Sequence, residues 1–123
     1  FTYYRLNPHE LLDLAGQLVL SKKAEHVQAI DVRKLTNITD YFMICSADTD
    51  IQVKAIADAV RKGTPYKPWK IEGYENRYWI LLDYVDVVIH IFRTSERKYY
   101  SLEKLWADAP IWRITDEPEN ISV

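Results

Sequence analysis

The sequence predicts an α/β domain in which helices flank a mixed β-sheet of about five strands. Two observations support this class: segments with apolar residues at helical spacing alternate with short apolar runs typical of strands, and the longest apolar run, residues 79–92, is interrupted by two aspartates. The predicted element order is α-β-β-α-β-β-β-α. One domain over residues 1–123 accommodates it, because a chain of this length suits a single hydrophobic core.

The first helix has a well-defined start. Asn7 is a favourable N-cap, Pro8 has the fixed φ that suits the first helical position, and Glu10 complements the positive helix end. Apolar residues then recur three and four positions apart. The sequence therefore predicts an amphipathic helix over residues 8–23.

Two strands are predicted after this helix, over residues 27–32 and 41–47, because both segments are short apolar runs. The second strand contains Cys45, the one cysteine of the chain, which cannot form an internal disulfide. We expect Cys45 to be a buried apolar residue in a reducing compartment.

A second helix is expected after Asp48 or Thr49, either of which can act as its N-cap. Gly63 is placed just after its C-cap, where a positive φ is needed. Pro65 and Pro68 then prevent the helix from continuing.

The remaining elements follow from apolar runs, turn residues and one further helical stripe. Three strands are predicted over residues 69–72, 78–83 and 86–92, with a turn at Gly73 between the first two. A final helical region starts at Thr94 or Ser95 and continues to Trp106. Residues 111–123 lack periodicity and are predicted to form a loosely docked tail.

The last two strands are expected to form a hairpin whose two faces differ. With Tyr84-Val85 as a two-residue loop, Asp83 pairs with Asp86 and Trp79 with His90. Side chains alternate across a strand, so one face is mixed and the other wholly apolar. The mixed face carries Trp79, Leu81, Asp83, Asp86, Val88 and His90, and the apolar face carries Ile80, Leu82, Val87 and Ile89. Because β-branched Val85 suits a positive φ poorly, a longer loop or a bulge is the alternative, and either would shift the register and change which residues share a face.

The mixed face has the aromatic, aliphatic and acidic composition of a recognition surface, although each residue also has a structural interpretation. Trp79 could equally fill the core, and Asp83 and Asp86 could simply be turn residues. Tyr84 is placed at the exposed loop tip, where it could simply face solvent or could equally supply the rigid aromatic contact that binding sites favour. His90 is most often a strand histidine, here expected to stack against Trp79.

Charge favours a protein partner over nucleic acid. The net charge is −2, and no basic run exceeds two residues. Residues 72–86 contain four acids and one base, a local balance of −3 that suits a basic protein partner. No apolar run approaches the roughly 20 residues that span a bilayer, and no signal peptide is visible, so no membrane partner and a cytoplasmic location are expected.

Three segments of the sequence form a specific combination: ITDYFMICSADTDIQVKAIADAV (38–60), IEGYENRYWILLDYVDVVIHIF (71–92) and RKYYSLEKLWADAP (97–110). Together they resemble the Iojap family, the bacterial ribosomal silencing factors, and the similarity is collinear from about residue 8 to 110. The resemblance implies a fold related to the nucleotidyltransferases without their chemistry. It also implies binding to ribosomal protein uL-fourteen of the large subunit, where the small subunit docks, which keeps the subunits apart and lowers translation when nutrients run short. A homodimer is plausible on the same ground.

By position, the partner-facing segment of the family corresponds to Trp79, Leu81, Asp83, Tyr84 and Asp86. Two departures stand out in this sequence. Val85 occupies a position where many members have glycine, and Ala47-Asp48-Thr49 replaces the more usual Gly-Thr-Ser.

The alternative function is a metal-dependent nucleotidyltransferase or hydrolase that uses Asp83, Asp86 and His90. Two carboxylates and an imidazole can hold a divalent cation. The three glycines, however, form no phosphate-cradling loop, and no catalytic triad order or Cys/His metal spacing is present. The sequence therefore predicts a protein that is not an enzyme, with no cofactor, no metal and no requirement for direct nucleic-acid contact.

Overall fold

The computed structural model describes residues 5–100 and 102–115, which form helices and one mixed sheet. The helices are α1 (Pro8–Ser21), α2 (Asp50–Gly63), α3 (Thr94–Tyr100) and α4 (Leu102–Leu105). The strands are β1 (Glu25–Asp31), β2 (Tyr41–Ala47), β3 (Lys70–Glu72), β4 (Trp79–Asp83), β5 (Val87–Arg93) and β6 (Ile111–Arg113). Their order in the sheet is β3-β4-β5-β2-β1-β6, and β2 and β5 are the parallel pair. The predicted α/β class with a mixed sheet is confirmed.

The sheet has a sixth strand that the sequence does not predict. β6 pairs antiparallel with β1, with Ile111 opposite Ile30 and Arg113 opposite Gln28. The expectation of a tail without regular structure is therefore wrong for residues 111–113, because three residues are too few to show strand periodicity. The expected tail residues 116–123 lie outside the described residues.

Both long helices begin where their caps predict. Asn7 and Glu10 form a reciprocal capping box at α1, and the Thr49 side chain accepts a hydrogen bond from the backbone of Gln52 at α2. The expectation for Gly63 is wrong, since Gly63 is the last helical residue and Thr64 is the C-cap with a φ of −88°. Gly63 instead leaves room for the side chain of Leu18 on α1.

The two sheet faces are covered differently. α1 and α2 pack on one face, and the main core between them and the sheet includes Met43, Ile80, Leu82 and Ile89. The opposite face, here called the second sheet face, carries a smaller cluster of buried and half-buried groups. Its members are Ile30, Val32, Phe42, Ile44, Trp79, Phe92, Trp106 and Ala109.

The β4–β5 register differs from the predicted one by two residues. Asp83 lies opposite Val88, Leu81 opposite His90 and Trp79 opposite Phe92. A shift of one residue would exchange the faces, whereas a shift of two preserves them. Trp79, Leu81 and Asp83 therefore still share the second sheet face, as predicted.

The turn between the two strands consists of Val85 and Asp86 rather than Tyr84 and Val85. The N–H of Tyr84 donates to the carbonyl of Val87 at 2.9 Å, which extends the ladder by one pair. Val85 adopts a φ of +76°, a conformation that is strained for a β-branched residue. This shift of the turn also moves Tyr84 onto the helix-covered face.

Candidate partner-binding surface

The residues of β4 that point away from the helices form an accessible surface with the turn. We call this surface the hairpin face, and it comprises Trp79, Leu81, Asp83, Val85 and Asp86. Val85 is 45% exposed and the other four are half-buried, while the alternating residues Ile80 and Leu82 are fully buried. The strand thus separates a core side from a side that a partner can reach.

Trp79 is held in a fixed orientation. Its ring stacks on Phe92 with centroids 4.8 Å apart, and its indole Nε1–H donates a hydrogen bond to Nδ1 of His90 at 3.0 Å. The indole therefore has its polar atom satisfied while it remains half-buried at the surface. An aromatic side chain ordered in advance loses little entropy when a partner binds.

His90 lies beneath Trp79 and serves as its hydrogen-bond acceptor. Burial lowers the pKa of His90 to about 4, so the ring is neutral at pH 7. Because Nδ1 accepts from Trp79, the proton of the neutral ring is on Nε2, which is buried and has no hydrogen-bond partner among the described residues. The Phe42 ring makes an edge contact with the imidazole at 5.3 Å.

This burial gives a pH-dependent stability. The unfolded His90 takes up a proton near pH 6.5 and the folded one only near pH 4, so stability falls as the pH drops through that window. We expect the free energy of unfolding to decrease by about 3 kcal/mol more between pH 7 and pH 4 than in His90→Gln. Urea titrations of both proteins at several pH values measure the difference. Parallel pH profiles for the two proteins would show that the pKa of His90 is the same in the folded and unfolded states, which would contradict this prediction.

The acidic residues of the hairpin face form no ion pairs within the described ranges 5–100 and 102–115. One carboxylate oxygen of Asp83 accepts the N–H of Val85 at 2.8 Å and so holds the turn. Neither Asp83 nor Asp86 forms an ion pair among the described residues. Lys70 lies opposite Asp83 in the sheet, but its ammonium pairs with Glu72 at 2.8 Å.

Comparison with known proteins identifies the family. The model of the family "Ribosomal silencing factor during starvation" matches residues 5–122, nearly the whole chain. The chain belongs to this family. The resemblance noted from the sequence is thereby confirmed.

Individual relatives agree with this assignment. The ribosomal silencing factor of Halalkalibacterium halodurans is 44% identical over 110 residues, which cover 85% of this chain and 92% of the relative. A mouse protein named "Mitochondrial assembly of ribosomal large subunit protein 1" is 30% identical over 103 residues, covering 77% of this chain and 44% of that protein. A crystal structure of a Chromobacterium violaceum protein superposes with a TM-score of 0.80 at 26% identity, covering 96% and 95% of the two chains.

Tyr84 does not lie on the hairpin face of this silencing-factor family member. Its side chain is 2% exposed, and its hydroxyl lies 2.8 Å from the hydroxyl of Thr64 at the C-cap of α2. Burial raises the pKa of the Tyr84 phenol, and the bond to Thr64 partly offsets this. The placement of Tyr84 at an exposed loop tip is therefore wrong. Its spacing of two from Leu82 already indicated the core face.

The three residues offered as metal ligands do not form a joint site. His90 is buried with Nδ1 engaged by Trp79, while one oxygen of Asp83 is engaged by the turn. Among the residues that the structure describes, no group of three His, Cys, Asp or Glu side chains is placed to hold a metal ion. Cys45 is fully buried, and burial raises the pKa of its thiol to about 12, which makes it a poor nucleophile. Within the same described ranges, no helix is long and apolar enough to cross a membrane.

Proposed function

We propose that this member of the ribosomal silencing factor family represses translation by binding the large ribosomal subunit through ribosomal protein uL-fourteen. The hairpin face carries the contact. The observation that supports this proposal is a preordered indole beside two carboxylates that have no ion pair among the residues the structure describes, on the side of the sheet that α1 and α2 leave uncovered. A folded protein that exposes such a combination has a surface suited to a partner.

The proposed contact has an apolar centre and an acidic rim. Trp79 and Leu81 dock against the ribosomal protein, while Asp83 and Asp86 pair with its arginine or lysine side chains. The charges set the register and the association rate more than the bulk affinity. Tyr84 takes no part in the contact and instead fixes the position of the turn from the core side.

The proposed consequence is steric. A chain of this length folds into a body about 35 Å across, which is large enough to obstruct the surface where the small subunit docks. The two subunits then stay apart, and translation in the cytoplasm falls under nutrient limitation. No covalent bond is made or broken in this mechanism.

Subunit joining tests the proposal. Large subunits incubated with the purified protein are mixed with small subunits, and light scattering follows the formation of complete ribosomes. We expect the protein to reduce the amplitude of joining until it is present at one copy per large subunit. Unchanged joining, with the protein bound to large subunits throughout, would reject the steric mechanism.

A further inference from the structure

A second charged segment, at the end of α2 and in the connection that follows it, has the opposite sign to the hairpin face. This segment, residues 61–70, is here called the basic loop and includes the last three residues of α2 and the first residue of β3. It contains four cations and no acid, a balance of +4. The whole chain has a net charge of −2, so the remaining residues must carry −6 to offset the basic loop. Within this loop two aromatic residues, Tyr66 and Trp69, alternate with lysines in the sequence YKPWK.

Three of the four cations of the basic loop line one hollow. Arg61, Lys62 and Lys67 line a depression of about 180 Å³ together with Asp58. The Asp58 carboxylate is already engaged, because the Tyr74 hydroxyl donates to it and the Lys54 ammonium lies 3.0 Å away.

The positive charge of this hollow is therefore largely uncompensated. Arg61 lies 3.8 Å from Asp58, at the outer limit of an ion pair. Lys62 and Lys67 form no ion pair in the part of the chain that the structure describes. The hollow suits an anion with several oxygens, such as a phosphate group.

Trp69 follows Lys67 by two residues in the chain, and its side chain is in solvent. It is 74% exposed, although tryptophan is usually well buried. The backbone N–H of Trp69 donates to the carbonyl of Asp83 at 2.8 Å, and Pro68, directly before Trp69, has a φ fixed by its ring. The backbone that carries the indole is thus anchored to Asp83, a residue of the hairpin face. An exposed ring among lysines is the arrangement on which unpaired bases stack.

We propose that the basic loop binds RNA, with Trp69 stacking on an unpaired base and Lys62 and Lys67 contacting phosphates. On the large subunit, this role rests on the proposed function, because the loop would meet ribosomal RNA there only if the protein docks on that subunit. The overall negative charge disfavours RNA binding when the sequence is considered as a whole. The cations are concentrated in one loop, however, and this local charge is what a nucleic acid meets.

The test measures binding of a fluorescein-labelled 12-nucleotide oligouridylate to the purified protein by fluorescence anisotropy at several salt concentrations. In Lys62→Gln/Lys67→Gln, the slope of log affinity against log salt should fall by about 1.4, the value for two lost single-strand phosphate contacts. Trp69→Ala should bind roughly 5-fold to 150-fold more weakly, the range for loss of one stacked base. Lys22→Gln/Lys23→Gln removes the same charge from two exposed lysines after α1 and should bind like the unchanged protein.

The variants also separate this proposal from the proposed function. Trp79→Ala/Asp83→Lys should retain oligouridylate binding while it loses large subunits. The basic loop is excluded as an RNA site if the unchanged protein does not bind the oligonucleotide, or if its variants bind as well as Lys22→Gln/Lys23→Gln. If Lys62→Gln/Lys67→Gln lost binding to anionic phosphatidylglycerol vesicles but still bound oligouridylate like the unchanged protein, the loop would be a lipid site and the proposal would be overturned.

Discussion

Replacing Trp79 by alanine and Asp83 by lysine in one protein is expected to abolish co-sedimentation with large ribosomal subunits. Truncating a central tryptophan typically costs a binding site about 2 kcal/mol or more, a loss of roughly 30-fold. Reversing the charge at Asp83 adds repulsion against a basic partner. Binding should therefore fall below detection at micromolar protein, and each single variant should show an intermediate loss.

The control for this prediction is Asp13→Lys, which makes the same charge change at an exposed position on α1. It lies on the helix-covered side of the sheet and should sediment with large subunits like the unchanged protein. Because Trp79 also packs on Phe92, thermal unfolding must show that the double variant is folded. A folded double variant that still sediments with large subunits would mean that the hairpin face is not the contact.

Replacing Tyr84 by alanine is expected to lower the free energy of unfolding by about 3–5 kcal/mol, the usual cost of removing a large buried aromatic ring. Its ring is sealed between the sheet and the end of α2, where its hydroxyl meets that of Thr64. Tyr84→Phe keeps the ring and should lose only about 1 kcal/mol, for one hydrogen bond. Urea unfolding of the three proteins gives both values.

The Tyr84 variants also distinguish the observed position of this residue from an exposed loop tip. Tyr84→Phe should remain bound to large subunits, because it leaves the hairpin face unchanged. If Tyr84→Ala were as stable as the unchanged protein yet failed to bind, the ring would be a direct contact in solution.

The parts of the fold that the sequence predicts well are those fixed by local chemistry. The caps at Asn7 and Thr49 are specified by side chains that bond to nearby backbone groups, so a few residues suffice to locate them. Alternation along β4 and β5 likewise placed Trp79, Leu81 and Asp83 on one face. The assignment of these residues to one face was correct despite the wrong register, because the register error was two residues and an even shift keeps the faces.

The parts that the sequence predicts poorly depend on contacts between distant residues. β6 is a strand only because β1 offers an edge to it, and nothing within residues 111–113 signals that pairing. The turn takes Val85 to a positive φ, against its own preference, because the Asp83 carboxylate and the Tyr84–Val87 pair stabilise it there.

The candidate surface shows the same division. Its composition was visible in the sequence, whereas the hydrogen bond from Trp79 to His90 was not, because it joins residues on two strands in a register that the sequence did not fix. The charge of the basic loop can be counted in the sequence but was not singled out there, because its longest basic run is two residues. The exposure of Trp69 and the grouping of Arg61, Lys62 and Lys67 around one hollow required the fold.

The steric account is tested most directly by subunit joining when the order of addition is controlled. Large subunits are first saturated with the protein, small subunits are added, and the complete ribosomes are then isolated and probed for the protein. We expect few complete ribosomes, none of them carrying the protein, and full joining when Trp79→Ala/Asp83→Lys is used instead. Complete ribosomes that retain the unchanged protein would contradict the account, because the protein and the small subunit could then bind the large subunit at the same time.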